Sequence, residues 1–424
     1  MPNLNILVLG GGVSGLGAVN LAMSQGYKIR LSDSKTLTPE QQKIYASLGV
    51  EIFIGEHQPS LLENVSKIIL SPGIPYHSPL VTSAKARGIE VLSEIDYAMQ
   101  DFTGNVISIT GTNGKSTVCA MLKHIFDTLK IPVDLAGNFG TPPAEIRSKR
   151  RLHQNVILEL SSYQLEQTFQ LKNTVGIFTS FSHDHLSRHG TLENYFATKW
   201  KLSSLSNKLW LITQAVEKES KKYALKNPSC AEVVVEATDD FSLASGQAEP
   251  HNALNAKLAS LAAEKILNVP ALELAGHLKE FQGLAHRCQK IGFFQNYQLI
   301  DDSKSTNVES TLVALQSSGE NIVLMLGGIG KGESYTAIVD FKNKIKSVII
   351  FGQTGVNIFA DLKNSLNCHV FKTCAEACSF VKKSLIDQTM PPDTVVLFSP
   401  ACASFDEFKN FEERGLFFQR AFLT

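Results

Sequence analysis

Neither sign of charge is in excess in this chain: 40 Lys and Arg balance 40 Asp and Glu over 424 residues. No net field therefore draws nucleic acid or an anionic membrane to the molecule as a whole. No apolar run approaches the roughly 20 residues that a membrane helix needs. The opening MPNLNILVLGGG lacks a basic segment ahead of its apolar run, so it reads as a first strand rather than an export signal. Metal-type cysteine pairing is missing as well. Of seven cysteines, Cys374 and Cys378 stand four apart on an expected helix and read as small core residues. An odd, scattered set suits a reducing cytoplasm.

Low-complexity linkers are also absent, so domains must follow one another directly. A chain of this length divides into two to four domains. Three blocks emerge from the alternation of short apolar runs with helical stretches, the pattern of parallel sheets covered by helices. The first holds NILVLGGG, YKIRLSD, VEIFIG, KIILSPG and IEVLSE. The second runs from near Asn105 through PVDLAGN, NVILELSS, TVGIFTS, KLWLIT and AEVVVEA to the Ala- and Leu-rich helix HNALNAKLASLAAEKIL. The third begins near Gly283, with five strands expected in NYQLIDDS, NIVLMLGG, SVIIFG, CHVFK and TVVLFSP. The fold class is α/β, with three consecutive α/β domains at 1–96, 97–283 and 284–424.

The most specific motif is VISITGTNGKST at 106–117. A β-branched strand enters a glycine-rich loop, Gly111, Thr112, Asn113 and Gly114, followed by Lys115, Ser116 and Thr117 and a helix. Backbone N–H groups of such a loop close around phosphate oxygens, the lysine adds a point charge, and the Ser116 hydroxyl can ligate Mg²⁺. Six residues before Lys115 stands Ile109, so only the compact form of the phosphate loop fits. The motif predicts ATP or GTP binding rather than a plain strand–helix turn.

In the first block, Gly10, Gly12 and Gly15 satisfy G-x-G-x-x-G, and Asp33 ends the second strand where an acidic ribose ligand belongs. Read literally, this predicts a dinucleotide, although the same turn receives any diphosphate. Glu159 sits in an apolar strand, where a charge is costly without a partner; a Mg²⁺ ligand beside the phosphate loop is preferred to a salt bridge. In SFSHDHLSRHG, His183 and His189 read as solvated, and His185, beside Asp184, as the ligand candidate. Lys199 lies in an amphipathic helix, where spacing alone assigns it to the wet face. Asn252 and Asn255, at a helix start, are caps or contacts to a purine edge. The run DDSKSTN, with Asp302, Ser303, Lys304, Thr306 and Asn307, follows a strand and suggests ligand binding, as do LMLGGIGKG with Lys331 and SPACASFDEF near the end.

Taken in order, GTNGKST, LELSSYQLE, SHDHLSRHG, HNxxN, GLAHR, DDSKSTN, LGGIGKG and SPACASFDEFKNFEERG resemble the Mur ligase family over nearly the whole chain. GGGVSGLG with DSK, and SPACASFDEF, resemble its D-glutamate-adding branch. The DNPR-type motif of the branch that adds a diamino acid is not in the third block.

The resemblance implies a Rossmann-like UDP-binding domain, a central P-loop ATPase domain and a Rossmann-like C-terminal domain. The activity implied is ATP-dependent ligation of D-glutamate to UDP-N-acetylmuramoyl-L-alanine (UDP-MurNAc-L-Ala) in peptidoglycan precursor synthesis. The enzyme would be a cytoplasmic monomer that binds no nucleic acid and inserts in no membrane. Residues 10–15, with Gly12, Val13, Ser14 and Gly15 as contacts, would then receive a diphosphate, with Asp33, Ser34 and Lys35 near uracil, Asn138 on the muramoyl group and Gly73 also binding the UDP-substrate. The dinucleotide reading yields to this one. Residues 111–117 with Asn252, Asn255, Arg287 and Asp302 would bind ATP. Ser116, Glu159, His185 and Lys199 would serve two Mg²⁺ ions, Lys199 as a carbamate, and Lys115, His185 and Lys199 would be catalytic. Lys304, Thr306, Lys331, Ser404, Phe405 and Phe411 would receive D-glutamate. Ser187 and His189 depart from the family pattern, where an Asp and an aromatic residue are usual.

Rival readings are a folylpolyglutamate-type amide ligase, a nicotinamide or flavin oxidoreductase resting on the glycine fingerprint, and a P-loop switch without a small-molecule product.

Overall fold

The computed structural model describes residues 5–235, 239–241, 243 and 250–423. Its strands form three sheets. The first contains β1 (Asn5–Leu9), β2 (Lys28–Asp33), β3 (Glu51–Ile54), β4 (Val65–Leu70) and β5 (Glu90–Ser93), in the order β3-β2-β1-β4-β5. Every pairing in it is parallel. The order reverses between β1 and β4, which opens a crevice beyond their carboxyl ends.

The second sheet holds β6 (Asn105–Thr110), β7 (Val133–Gly137), β8 (Asn155–Glu159), β9 (Asn173–Phe178), β10 (Ser206–Thr213) and β11 (Ala231–Val234), ordered β11-β10-β9-β6-β8-β7 and parallel throughout. Helices cover both faces, so its strands read as nearly continuous apolar runs. Ile107, Ile109, Ile157 and Ile177 pack with helices Lys115–Thr128 and Pro250–Leu267, while Val106, Val156, Leu158 and Trp210 pack on the opposite side with Phe196 and Trp200. Residues 236 and 237 of the expected last strand, and 1–4 of the first, lie outside the described residues.

The third sheet has six strands where five were expected: β12 (Gln289–Phe294), β13 (Tyr297–Asp301), β14 (Ile322–Gly327), β15 (Ile345–Phe351), β16 (Cys368–Val370) and β17 (Val395–Phe398). Their order is β12-β13-β17-β14-β15-β16. The additional strand, β12, is an antiparallel edge whose register shifts between Lys290 and Gly292. That irregularity, with Phe293 exposed, breaks the alternation that marks a strand in sequence.

Two compact units result, one of residues 1–181 with 193–281, the other of 182–192 with 282–424. The first two sheets thus share a unit. Helix Val13–Ser24 approaches helix Pro143–Lys149 so closely that a Cβ on Gly17 would lie 2.9 Å from the Glu145 nitrogen. Glu94 accepts from the Ala144 N–H at 2.7 Å, and Arg147 donates to Ala98 O at 2.6 Å. Among the described residues, no helix is long and apolar enough to cross a membrane. All seven cysteines are free, and Cys374 and Cys378 are buried on helix Cys374–Ile386 as expected.

Candidate active site

The phosphate loop forms where β6 stops between β8 and β9. Gly111 has φ 148°, and a Cβ there would lie 2.0 Å from Thr179 Oγ1. Only glycine fits this position. The strand-end residues after β9 tie the loop down: Thr112 N donates to Ser180 O at 2.8 Å and Asn113 N to Ser180 Oγ at 2.9 Å. Helix Lys115–Thr128 then starts at Gly114 with no side-chain cap, which suits its N-terminus to an anion. Lys115 Nζ folds back on the loop, donating to Gly111 O at 2.9 Å and Thr112 O at 2.8 Å. Ser116 and Thr117 are buried, and Thr117 Oγ1 has no hydrogen-bond partner among the described residues.

Glu159 ends β8 beside this loop and is 1% exposed. Its Oε1 accepts from Asn138 Nδ2 at 2.6 Å, and its buried Oε2 has no partner among the described residues. A buried, half-satisfied carboxylate fits a cation better than it fits an apolar core. Among the described residues no group of three or more His, Cys, Asp and Glu converges on one point. That donor set suits Mg²⁺, which takes one or two carboxylates and completes its octahedron with phosphate oxygens and water.

Lys199 corrects the reading from spacing. Instead of facing solvent it is 1% exposed, in a buried stripe of helix Leu192–Trp200 with Tyr195, Phe196 and Trp200. Its Nζ donates to Gly111 O at 2.7 Å and lies 4.8 Å from the Tyr195 ring centroid. Asn255 joins the same cluster, since a Cβ on Gly114 would come within 2.9 Å of its Oδ1. Asn252 and Asn255 are both buried within helix Pro250–Leu267.

At the first sheet's switch point, a Cβ on Gly15 would sit 1.9 Å from Gly10 O, so helix and turn touch there. Helix Val13–Ser24 begins at Gly12 without a side-chain cap, and Gly12, Val13 and Gly73 are exposed beside Ser14. Asp33 accepts from Gly11 N at 2.7 Å and Lys35 N at 2.9 Å, so its carboxylate shapes the glycine turn itself; Ser34 and Lys35 are exposed next to it.

The second unit gathers the loops after β13, β14 and β17. Arg414, fully buried and missed in the sequence, ties them together by donating to Ser303 O at 2.8 Å, Cys402 O at 2.9 Å and Gly327 O at 3.4 Å. Burial pulls its guanidinium down to about 10. A signal was available: Arg414, Phe418 and Phe422 recur every four residues on the buried face of helix Phe411–Leu423. Glu333 accepts from Val308 N at 2.9 Å, which joins the Lys331 loop to the DDSKSTN segment.

Lys331 pairs with Asp184 at 2.9 Å. Burial pushes the Asp184 carboxyl up, but Lys331 and His185 together hold it below the usual range. His185, at φ 53°, lies in this unit and Glu159 in the other. His183 is exposed as expected, whereas His189 is half-buried. Asp302 is buried, which raises its pKa, and it accepts from Ser305 Oγ at 2.5 Å, Ser399 Oγ at 2.6 Å and Cys288 N at 3.0 Å. Both its oxygens therefore serve the loop. Arg287 supplies it with a nearby positive charge. Lys304 Nζ lies 4.4 Å from the Phe411 ring centroid, Thr306 is half-buried, Ser404 is buried and Phe405 is 70% exposed.

Comparison with known proteins agrees with this architecture. The family model of the Mur ligase middle domain matches residues 109–269, and that of the Mur ligase MurD-like N-terminal domain matches 4–93. The UDP-N-acetylmuramoylalanine–D-glutamate ligase of Christiangramia forsetii is 31% identical over 98% of this chain and 98% of its own. That of Staphylococcus haemolyticus is 32% identical over 100% and 97%. Among solved structures, the UDP-N-acetylmuramate-alanine ligase of Thermotoga maritima superposes with a TM-score of 0.60 at 18% identity, covering 99% of this chain and 98% of that one. The MurF ligase of Thermotoga maritima, in complex with ADP, does so with a TM-score of 0.59 at 15% identity, over 99% and 95%. The chain belongs to the Mur ligase family.

Proposed function

We propose that this protein is an ATP-dependent ligase that joins D-glutamate to UDP-MurNAc-L-Ala in peptidoglycan precursor synthesis. The observation that carries the reading is the 31% identity to a UDP-N-acetylmuramoylalanine–D-glutamate ligase, held over 98% of both chains. The phosphate loop with Lys115 and the half-satisfied Glu159 supports it.

A carboxylate is a poor acyl donor because it is anionic and has no leaving group. Transfer of the γ-phosphoryl of ATP to the L-alanyl carboxylate gives an acyl phosphate and ADP. The amine of D-glutamate attacks the carbonyl carbon, and the tetrahedral intermediate expels phosphate to leave an amide. Lys115 and the N–H groups of residues 111–117 hold the phosphates and offset the charge that builds up on them. Ser116 and Glu159 would hold one Mg²⁺, which supplies further neutralisation of phosphate charge when bound. Lys199 as its carbamate, an anion where the free lysine is a cation, would be a further Mg²⁺ ligand, and His185 is the candidate ligand of the second unit.

Asn252, Asn255, Arg287 and Asp302 complete the ATP site. Residues 12–15, 33–35, Gly73 and Asn138 take the UDP-sugar. Lys304, Thr306, Lys331, Ser404, Phe405 and Phe411 take D-glutamate, and Lys331 must exchange Asp184 for a substrate carboxylate. Domains 1–96, 97–283 and 284–424 divide these tasks in a cytoplasmic monomer.

Incubation with ATP, Mg²⁺, UDP-MurNAc-L-Ala and D-glutamate, followed by mass spectrometry, tests the reading. A UDP-sugar product heavier by one glutamyl residue is expected. Unchanged substrate would overturn the proposal.

A further inference from the structure

Gln167 joins the two nucleotide-binding edges of the first unit. It closes helix Ser162–Gln167, which begins three residues beyond the last residue of β8, Glu159. The start of that helix is fixed by a capping box between Ser161 and Gln164, and Leu160 N donates to Ile109 O at 2.8 Å. Movement at its far end is thereby tied to the strand end that carries Glu159 and to the strand feeding the phosphate loop. At that far end Gln167 is 1% exposed. Its Nε2 donates to Ser71 O at 3.3 Å and, more closely, to Ile74 O, gripping both ends of the turn that contains Gly73. Ser71 in turn donates from Oγ to Gly10 O at 2.9 Å and from N to Leu9 O at 2.9 Å. A second contact runs parallel, with Tyr76 N donating to Glu166 Oε1 at 3.1 Å.

We propose that Gln167 is a positioning residue for the UDP-sugar: it locks the 71–74 turn, and through Ser71 the Gly10 turn, to the strand end that bears Glu159. The inference rests on the reading of residues 10–15 as the diphosphate turn and of Gly73 as a residue that binds the UDP-sugar. The physical reason is specific to a donor at this place. Ser71 O and Ile74 O are acceptors, so an amide that donates to both draws them together, while an ionised carboxylate repels both. The diphosphate turn and the ATP-facing strand end then keep their separation as the UDP-sugar binds, which favours approach of the L-alanyl carboxylate to the γ-phosphate.

The test compares wild type, Gln167→Leu and Gln167→Glu in the complete reaction, with the Michaelis constant of each substrate measured separately. Gln167→Leu removes the donor and should raise KM for UDP-MurNAc-L-Ala by about tenfold, the value of one to two lost hydrogen bonds, with KM for ATP unchanged. Gln167→Glu keeps the shape and supplies a pH profile should the leucine variant fail to fold. Its KM for the UDP-sugar should climb with pH as the acid ionises, a trend wild type lacks. Equal KM values for the UDP-sugar in wild type and folded variants, or an equal rise in KM for ATP, would overturn the clamp. Absence of turnover by wild type would instead overturn the functional reading on which it rests.

Discussion

Lys199 donates from Nζ to the carbonyl oxygen of Gly111 at 2.7 Å, across 88 residues of sequence. Lys115 donates to the same oxygen at 2.9 Å. Two ammonium groups thus converge on the first carbonyl of the phosphate loop, where their mutual repulsion favours an anion. In the proposed reaction the phosphate oxygens of ATP would satisfy Lys115. In the proposed ligase, conversion of Lys199 to a carbamate would remove the second cation and supply a metal-binding anion.

Lys115→Ala should abolish ligation while preserving the fold, because its ammonium is half-buried in the loop rather than in the core. A loss of at least ~100-fold in kcat is expected from removing a charge aimed at the transferring phosphoryl group. Steady-state ADP release and circular dichroism check the two halves, and near-normal turnover would remove Lys115 from the mechanism.

Lys199→Ala should be inactive, with part of the activity restored by formate or acetate occupying the vacated anion site. Mass spectrometry of the wild-type protein under native conditions should find the added mass of one bound CO₂ at this residue. An active alanine variant together with an unmodified lysine would contradict the carbamate.

The two lysines also mark how far the sequence could be read. Lys115 was legible because a glycine loop needs few contacts to reveal it. Lys199 was misread because a lysine on an amphipathic helix is normally solvated. Its spacing nevertheless held the answer: Tyr195 and Lys199 are four apart, and Phe196 and Trp200 flank the same buried face. The regular strands of all three sheets could be read from their apolar runs, whereas β12 could not, since its register shift and exposed Phe293 erase the period. Residues 182–192 group with the third sheet, and Asp184 pairs there with Lys331, a contact across 147 residues that no local pattern encodes.

Glu94 predicts a pH dependence of stability. Burial pushes its carboxyl up to about 8, and the Ala144 N–H only partly offsets this. The folded state therefore binds the proton more tightly than the unfolded chain. The Glu94 contribution is fully present below the unfolded pKa of about 4.3 and is lost as pH rises toward 8, at up to about 1.4 kcal/mol per pH unit. Gln at this position cannot ionise and can keep the Ala144 contact. Thermal melts from pH 5 to pH 8 should show a flatter profile for Glu94→Gln than for wild type, and parallel profiles would refute the assignment.

Ser404→Ala should chiefly raise KM for D-glutamate, by about tenfold for one lost hydrogen bond to a charged carboxylate. Little change for ATP is expected. Should ATP affinity fall while D-glutamate affinity holds, the loop after β17 serves the nucleotide instead.

The most direct test of the proposed ligation is ADP release by the purified protein with Mg²⁺ and ATP, omitting one substrate at a time. Sustained release should require UDP-MurNAc-L-Ala and D-glutamate together and should match amide formation mole for mole. Release that proceeds equally without D-glutamate, or that leaves the UDP-sugar unextended, would contradict a ligase of this specificity.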